Sequence, residues 1–321
     1  MKENKNELTE IETKKILLSS KFKARWNTIM TLLSIILLAF PVGYLSTVIF
    51  YSIDNQANHQ ITALETVYAL TRPNMKIDDE SIENEFDPVF GLKLTAPIKS
   101  QVGDLEKNAG SYTSNIRFGK ITDQRSAINI NQPPNNLRDK EFPFIYGKKI
   151  IPTYLNQGWD QLDKVPGGTV AEAFISFDKA YTPKEVKSFL GDKEVTIVWN
   201  AVYTGLEKKM EDSSGAVVTP IGYPEKNEPF ENSNFQDKTG SALFLNQLEY
   251  LDQHKKIAQQ LMGEASLASS ERLDYLQKNG IKIYGVVLTG PSKNILKLKD
   301  TNKVISIYVN QVDFWHWNKG E

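Results

Sequence analysis

The side chains that ordinarily perform chemistry are sparse in this chain and far apart. It has 321 residues, three histidines (His59, His254, His316) and no cysteine. Lack of cysteine removes disulfides, thiol nucleophiles and Cys-ligated zinc together. His254 stands beside Lys255 and Lys256 on a predicted helix, which predicts exposure, and His316 stands between Trp315 and Trp317. Isolated imidazoles so placed do not predict a metal centre. Acidic runs at Asp78-Asp79-Glu80 and Glu211-Asp212 read as solvated loops rather than acid–base pairs. No phosphate loop, nucleophile elbow, zincin helix or dinucleotide fingerprint is present. Gly167-Gly168 precedes a predicted strand and reads as a turn. Gly290-Pro291-Ser292 opens a predicted short helix, either as a simple turn or as an anion-facing start. These residues predict no enzyme, no cofactor and no metal.

The elements that would position any site begin with a greasy one. From Trp26 to Ile53 no residue is charged, and the centre runs Ile29 to Phe40 almost without polar interruption. A helix rises about 1.5 Å per residue and a bilayer core of about 30 Å needs roughly 20 residues, so this stretch spans with tilt. Trp26 opens it, and Tyr44 and Tyr51 stand near its far end, where aromatic rings favour headgroup depth. A cleaved leader would need a shorter apolar core and a small-x-small cleavage site, which the sequence does not offer. Lys2, Lys5, Lys14, Lys15, Lys21, Lys23 and Arg25 precede the span. The positive-inside rule therefore expects a cytoplasmic tail (1–25), a single membrane span (26–53) and an exterior remainder. An exterior portion that is mildly acidic and free of cysteine fits a Gram-positive surface.

Within the tail, Thr9 to Glu12 resembles a capping box, and Leu8, Ile11, Leu18 and Phe22 fall on one helical face that Lys15 interrupts. Two readings stand: an amphipathic element docking a cytoplasmic partner, or a basic extension against anionic lipid. At the other terminus, Trp315 and Trp317 in Phe314–Trp317 are either an exposed contact for a partner or membrane surface, or rings packing the last strand.

Outside the span, residues 56–70 predict a helix ended by Arg72-Pro73. Residues 90–96 and 111–118 alternate as half-exposed strands, and Asn129–Asn136 reads as a boundary loop between an N-terminal exterior region (54–135) and a C-terminal domain (140–321). Strands are predicted at 169–177, 195–203, 281–289 and 304–309. Helices are predicted from Thr182, over 243–261, over 267–276 and after Gly290. Two β-α-β units of this kind predict an α+β fold, with a ferredoxin-like open sheet and helices on one face.

Several stretches then carry a family likeness: Gly158 to Pro166, Thr169 to Glu172, Ser176 to Lys179, and Trp199 with Tyr203-Thr204-Gly205. Pro220 to Pro224 and Tyr284 to Pro291 add to it. Together they resemble the C-terminal domain of the Gram-positive sigma factor regulator family, and the basic segment with its anchor resembles that family's N-terminal region. The resemblance implies an anti-sigma-factor-like regulator. Its relatives include membrane proteins that hold an extracytoplasmic-function sigma factor inactive, so the exterior domain would be the sensor. This chain departs from the better-known layout in lacking a cytoplasmic zinc-type helical module. Sigma binding would then use the short tail or an accessory membrane subunit, or be absent. The competing expectation is a surface-anchored module binding wall polymer or a partner protein, with no sigma contact. The membrane is a partner in both, and nucleic acid in neither.

Overall fold

A computed structural model describes residues 3–147, 151–228, 235 and 238–314 of the chain, with side chains from residue 13 onward. A single helix, α1, runs from Glu3 to Ser52 with Pro41 inside it. Tail and span are therefore one rod, and Thr9 lies inside the helix rather than at its start. Leucine and isoleucine side chains from Ile29 to Leu45 stand exposed on all sides, as a helix facing lipid requires. One helix is thus long and apolar enough to cross a membrane.

A short 3-10 turn (Ile53–Asn55) leads into α2 (Gln56–Thr71). Asp54 (φ 51°, ψ 21°) and Asn55 (φ 57°, ψ 34°) are both left-handed. These are the two non-glycine types whose short polar side chains best tolerate that conformation. The chain therefore bends here without a glycine. Residues Thr62 to Leu70 are all buried, so α2 is a core helix although it is rich in polar residues.

Next come β1 (Met75–Ile77), β2 (Glu83–Asp87), β3 (Gly91–Val102), β4 (Leu105–Arg117) and β5 (Lys120–Ile128). β1 and β2 share one edge of β3, and β4 and then β5 extend the other, all antiparallel. Alternate residues Leu92, Leu94, Ala96 and Ile98 of β3 point inward, and Leu64 and Tyr68 of α2 pack on that face. The periodicity predicted parts of β3 and β4. β5 escaped it because Thr122 to Ser126 are polar; the strand exists through its pairing with β4 rather than through an apolar stripe.

The second half contains α3 (Gly158–Lys164), β6 (Thr169–Tyr181), α4 (Pro183–Leu190), β7 (Thr196–Val202), β8 (Gly222–Pro224), α5 (Gly240–Gln253), α6 (Lys255–Met262), α7 (Ser269–Asn279), β9 (Ile283–Pro291), α8 (Ser292–Leu296) and β10 (Val304–Phe314). The strand order is β10-β6-β9-β7-β8, and every neighbour is antiparallel. Thr182 caps α4 as its sequence predicts: the Glu185 amide donates to Thr182 Oγ1 (3.3 Å), and the Thr182 amide donates to Glu185 Oε2 (2.7 Å). Gly191 follows α4 in a right-handed conformation (φ -59°), and Glu194 (φ 52°) makes the reversal after a 3-10 turn. Gly290 and Pro291 lie in β9, and only five residues form α8, so Gly290-Pro291-Ser292 closes a strand.

Leu162, Val186 and Ile295 bring α3, α4 and α8 onto one face of the second sheet. The opposite face is covered as well. Phe144 stacks on Trp199 (centroids 5.8 Å apart), and Trp199 Nε1 donates to the Ala69 carbonyl in α2 (2.9 Å). Ala63, Val67 and Leu70 of α2 complete a third core with Leu243, Leu248 and Leu251 of α5. One helix therefore touches the first sheet, the second sheet and the α5–α7 layer.

Candidate functional site

The tail residues chosen from the sequence all lie on α1. Leu18 and Phe22 are 67% and 68% exposed and one turn apart, and Phe22 stacks on Trp26 with centroids 6.5 Å apart. Leu8 and Ile11 lie further toward the start of the same helix. No other described element covers Leu18 and Phe22, which form an exposed apolar ridge with Lys14, Lys15, Lys21 and Lys23 nearby. Trp315 and Trp317 lie outside the described residues; Phe314 just before them is 70% exposed.

The top of α1 is fixed to the first sheet. Tyr51 is 1% exposed, and its hydroxyl donates to the carbonyl of Phe90 (3.1 Å), lies 3.3 Å from that of Ile116, and accepts from the Gly119 amide (3.5 Å). Thr47 Oγ1 accepts from the Phe90 amide (3.0 Å). Gly43 is required here, because a Cβ on it would lie 2.7 Å from the Pro88 carbonyl oxygen. The sheet thus grips the rod just before the Asp54–Asn55 bend.

Beyond the bend, α2 carries ionisable groups into the interior. Glu65 is 4% exposed, and burial, with the negative charge of Asp79, pushes its carboxyl up to about 8. His59 Nδ1 lies 3.0 Å from Tyr250 Oη. Burial and the neighbouring His254 hold His59 below its ordinary value. His254 itself is half-buried against Tyr250, ring centroids 4.1 Å apart, and is not the exposed residue that its flanking lysines predicted. Lys255 and Lys256 are exposed, but the start of α6 turns the imidazole inward.

A cleft opens against the other end of α2. Two adjoining cavities of about 110 and 280 Å³ share Tyr68, Thr71, Arg72, Ser126, Asn135 and Thr219. Prolines 133, 134, 143 and 220 stiffen one wall, and Arg125 stands in the other. Tyr68 Oη pairs with Ser126 Oγ (2.8 Å), and Thr219 Oγ1 is buried with no hydrogen-bond partner among the described residues. The loop read from sequence as a boundary therefore lines a cavity. An extended or amphipathic ligand with an anionic group suits this proline, tyrosine and arginine lining, and it would press directly on α2.

The sheets are joined by a residue that the sequence singled out only as part of a pattern. Glu172 is 2% exposed and accepts from Asn74 Nδ2 (2.6 Å) and Asn310 Nδ2 (2.7 Å). Burial raises its carboxyl and the two amides oppose that shift. Asn74 also bonds Ser100 and Gln101 of the first sheet. A carboxylate on β6 is thus held from two sheets at once. Among the described residues no three His, Asp or Glu side chains converge as a metal would need.

The chain is thus an α+β protein with one long apolar helix gripped by an antiparallel sheet and a second α+β layer packed around its continuation. Comparison with known families assigns this chain to a family of regulators. The sigma factor regulator N-terminal model matches residues 14–107, and the sigma factor regulator C-terminal model matches residues 162–311. The chain belongs to the sigma factor regulator family. It is 28% identical over 285 residues to the protein named Probable anti-sigma-M factor YhdL of Bacillus subtilis (strain 168), covering 88% of this chain and 77% of that protein. No solved structure matches it significantly.

Proposed function

We propose that this chain is a single-pass membrane anti-sigma-factor-like regulator. The tail lies in the cytoplasm and docks an extracytoplasmic-function sigma factor through Leu8, Ile11, Leu18 and Phe22, and the body lies outside and reads an envelope signal. The observation that carries this reading is mechanical. The ridge, the apolar span and the sensor's central helix form one continuous path, broken only at Asp54–Asn55. A ligand in the cleft against Tyr68 and Arg72 bears on α2, the Tyr51 clamp limits where that strain can go, and α1 delivers it to the ridge. The lysines around the ridge favour an acidic sigma-factor surface and the inner leaflet alike. The domain division is 1–25, 26–53, 54–135 and 140–321. The strand order β10-β6-β9-β7, with α4 and α8 as crossovers, supports a ferredoxin-like reading of the last part.

The test uses the full chain in its host membrane. Leu18→Glu with Phe22→Glu should release the sigma factor and raise its reporter at least about tenfold, a loss of about 1.4 kcal/mol or more in binding. The exterior body should keep its Tm. Topology is read in the same cells with a membrane-impermeant maleimide on single cysteines: Ser188→Cys should label in intact cells and Ser20→Cys only after lysis. A silent reporter with correct topology favours an accessory subunit or the surface-anchored binding module, for which the cleft is the supporting observation.

A further inference from the structure

Beside the outer end of α1 the first sheet presents two hairpin tips, Pro88-Val89-Phe90 between β2 and β3, and Phe118-Gly119 between β4 and β5. Both tips carry an aromatic residue in a left-handed conformation, Phe90 at φ 52° and Phe118 at φ 48°. Glycine or asparagine is the ordinary occupant of such a position, and a bulky side chain there costs on the order of 1–2 kcal/mol. Two strained phenylalanines side by side point to a role that the turn itself does not need. The fold does not bury them. Phe118 is 59% exposed and Val89 is 55% exposed, while Phe90 stacks on Phe118 (centroids 5.1 Å apart) and meets Phe50 of α1 edge-on (5.5 Å).

Their height along the rod is fixed by contact. Pro88 abuts Gly43, and Phe90 is bonded to Thr47. From Trp26 to Gly43 the helix rises about 26 Å, less than the roughly 30 Å hydrocarbon thickness of a bilayer. If the span crosses a membrane from Trp26, Pro88 beside Gly43 reaches the outer end of the hydrocarbon, and Phe90, bonded to Thr47 one turn higher, stands at its boundary with the headgroups. Irregular backbone survives there only when its polar groups have partners. These do: the Val89 amide donates to Asp87 Oδ1 (2.7 Å), Phe90 to Thr47, Phe118 to the Phe90 carbonyl (3.1 Å), and Gly119 to Tyr51. Arg117 and Lys120 flank the second tip, where lipid phosphates would lie.

We propose that Val89, Phe90 and Phe118 form an interfacial wedge that inserts into the outer leaflet of the phospholipid bilayer, with Arg117 and Lys120 at the phosphates. The proposal rests on the spanning reading of α1. It makes the sensor a body held to the lipid at two places, the rod and the wedge, so that its tilt relative to the membrane is set rather than free.

The absence of cysteine makes the test clean. Full-length single-cysteine variants at Val89, Phe118, Leu37 and Ser188 are spin-labelled and reconstituted in phosphatidylethanolamine–phosphatidylglycerol vesicles. Power saturation then compares accessibility to oxygen, which partitions into lipid, with accessibility to a water-soluble nickel chelate. The oxygen-to-nickel ratio at Val89 and Phe118 should be several-fold above that at Ser188, and lower than that at Leu37. Val89 is 55% exposed and belongs to no core cluster among the described residues, so its label reports even if Phe118→Cys disturbs the turn. Ratios at Val89 and Phe118 equal to that at Ser188, with Leu37 still rich in oxygen, overturn the wedge and leave the span intact. A nickel-rich Leu37 overturns both.

Discussion

His59 and His254 face each other with ring centroids 4.9 Å apart and an interplanar angle of 32°, and Tyr250 closes the group by meeting both rings. The pair joins α2 to α5 and α6 immediately above the Asp54–Asn55 bend. The groups that act on His59 are His254, whose charge disfavours the proton there, and Asp54, whose backbone and charge favour it.

Acid should loosen this junction. His59 is held below its ordinary value, so its neutral form contributes stability that is present above about 6.5 and is lost as pH falls through the depressed value. The Tm of the full chain should drop by about 2–4 °C between pH 7.5 and 5.5. His254→Gln, which removes the like charge, should lessen the drop. An identical acid slope in both proteins would show that His254 does not act on the protonation of His59.

Alkali should act through Glu65. Its carboxyl is raised to about 8 in the fold, so the protonated form contributes stability that is fully present below about 4.5 and is lost as pH rises through about 8. Glu65→Gln keeps the shape and removes the charge. We expect it to stabilise the protein by on the order of 2–3 kcal/mol at neutral pH and to flatten the decline in stability between about pH 4.5 and 8. Chemical denaturation at pH 5, 7 and 9 decides, and an unchanged slope counts against the buried carboxyl.

The clamp at the top of the rod depends on one hydroxyl. Tyr51→Phe keeps the ring among Leu92, Ile116 and Phe86 but leaves the Gly119 amide without its acceptor. The expected loss is about 1 kcal/mol. Hydrogen exchange should quicken at Phe118–Gly119 and stay slow in β6 and β9. Uniform quickening across both sheets would assign Tyr51 to global stability instead.

Glu172 tests the joint between the sheets. Glu172→Ala removes one acceptor from each of the Asn74 and Asn310 amides, which keep their bonds to Gln101 and Asn131, and should cost about 1–3 kcal/mol. Glu172→Gln retains one acceptor oxygen and should cost roughly half as much. If both variants unfold at the wild-type denaturant midpoint, the joint between the two sheets does not depend on this carboxylate.

The local signals were legible where one element satisfies itself. An uncharged apolar run of this length forms a helix in lipid, so α1 and its capacity to span could be read directly, as could the Thr182 N-cap of α4 and the strands β6, β7 and β9. The ridge at Leu18 and Phe22 was legible for the same reason, since spacing alone places residues on one helical face. Tertiary structure decided everything that depends on residues remote in sequence. β5 is polar and gains its state from β4; Glu172 looks like any strand residue until Asn74 and Asn310 arrive from either side; and His254 is turned inward by the start of α6. The central place of α2 was hidden because its burial comes from three layers contributed by distant stretches of chain. Periodicity reports one apolar face, and a helix surrounded on all sides has none to report.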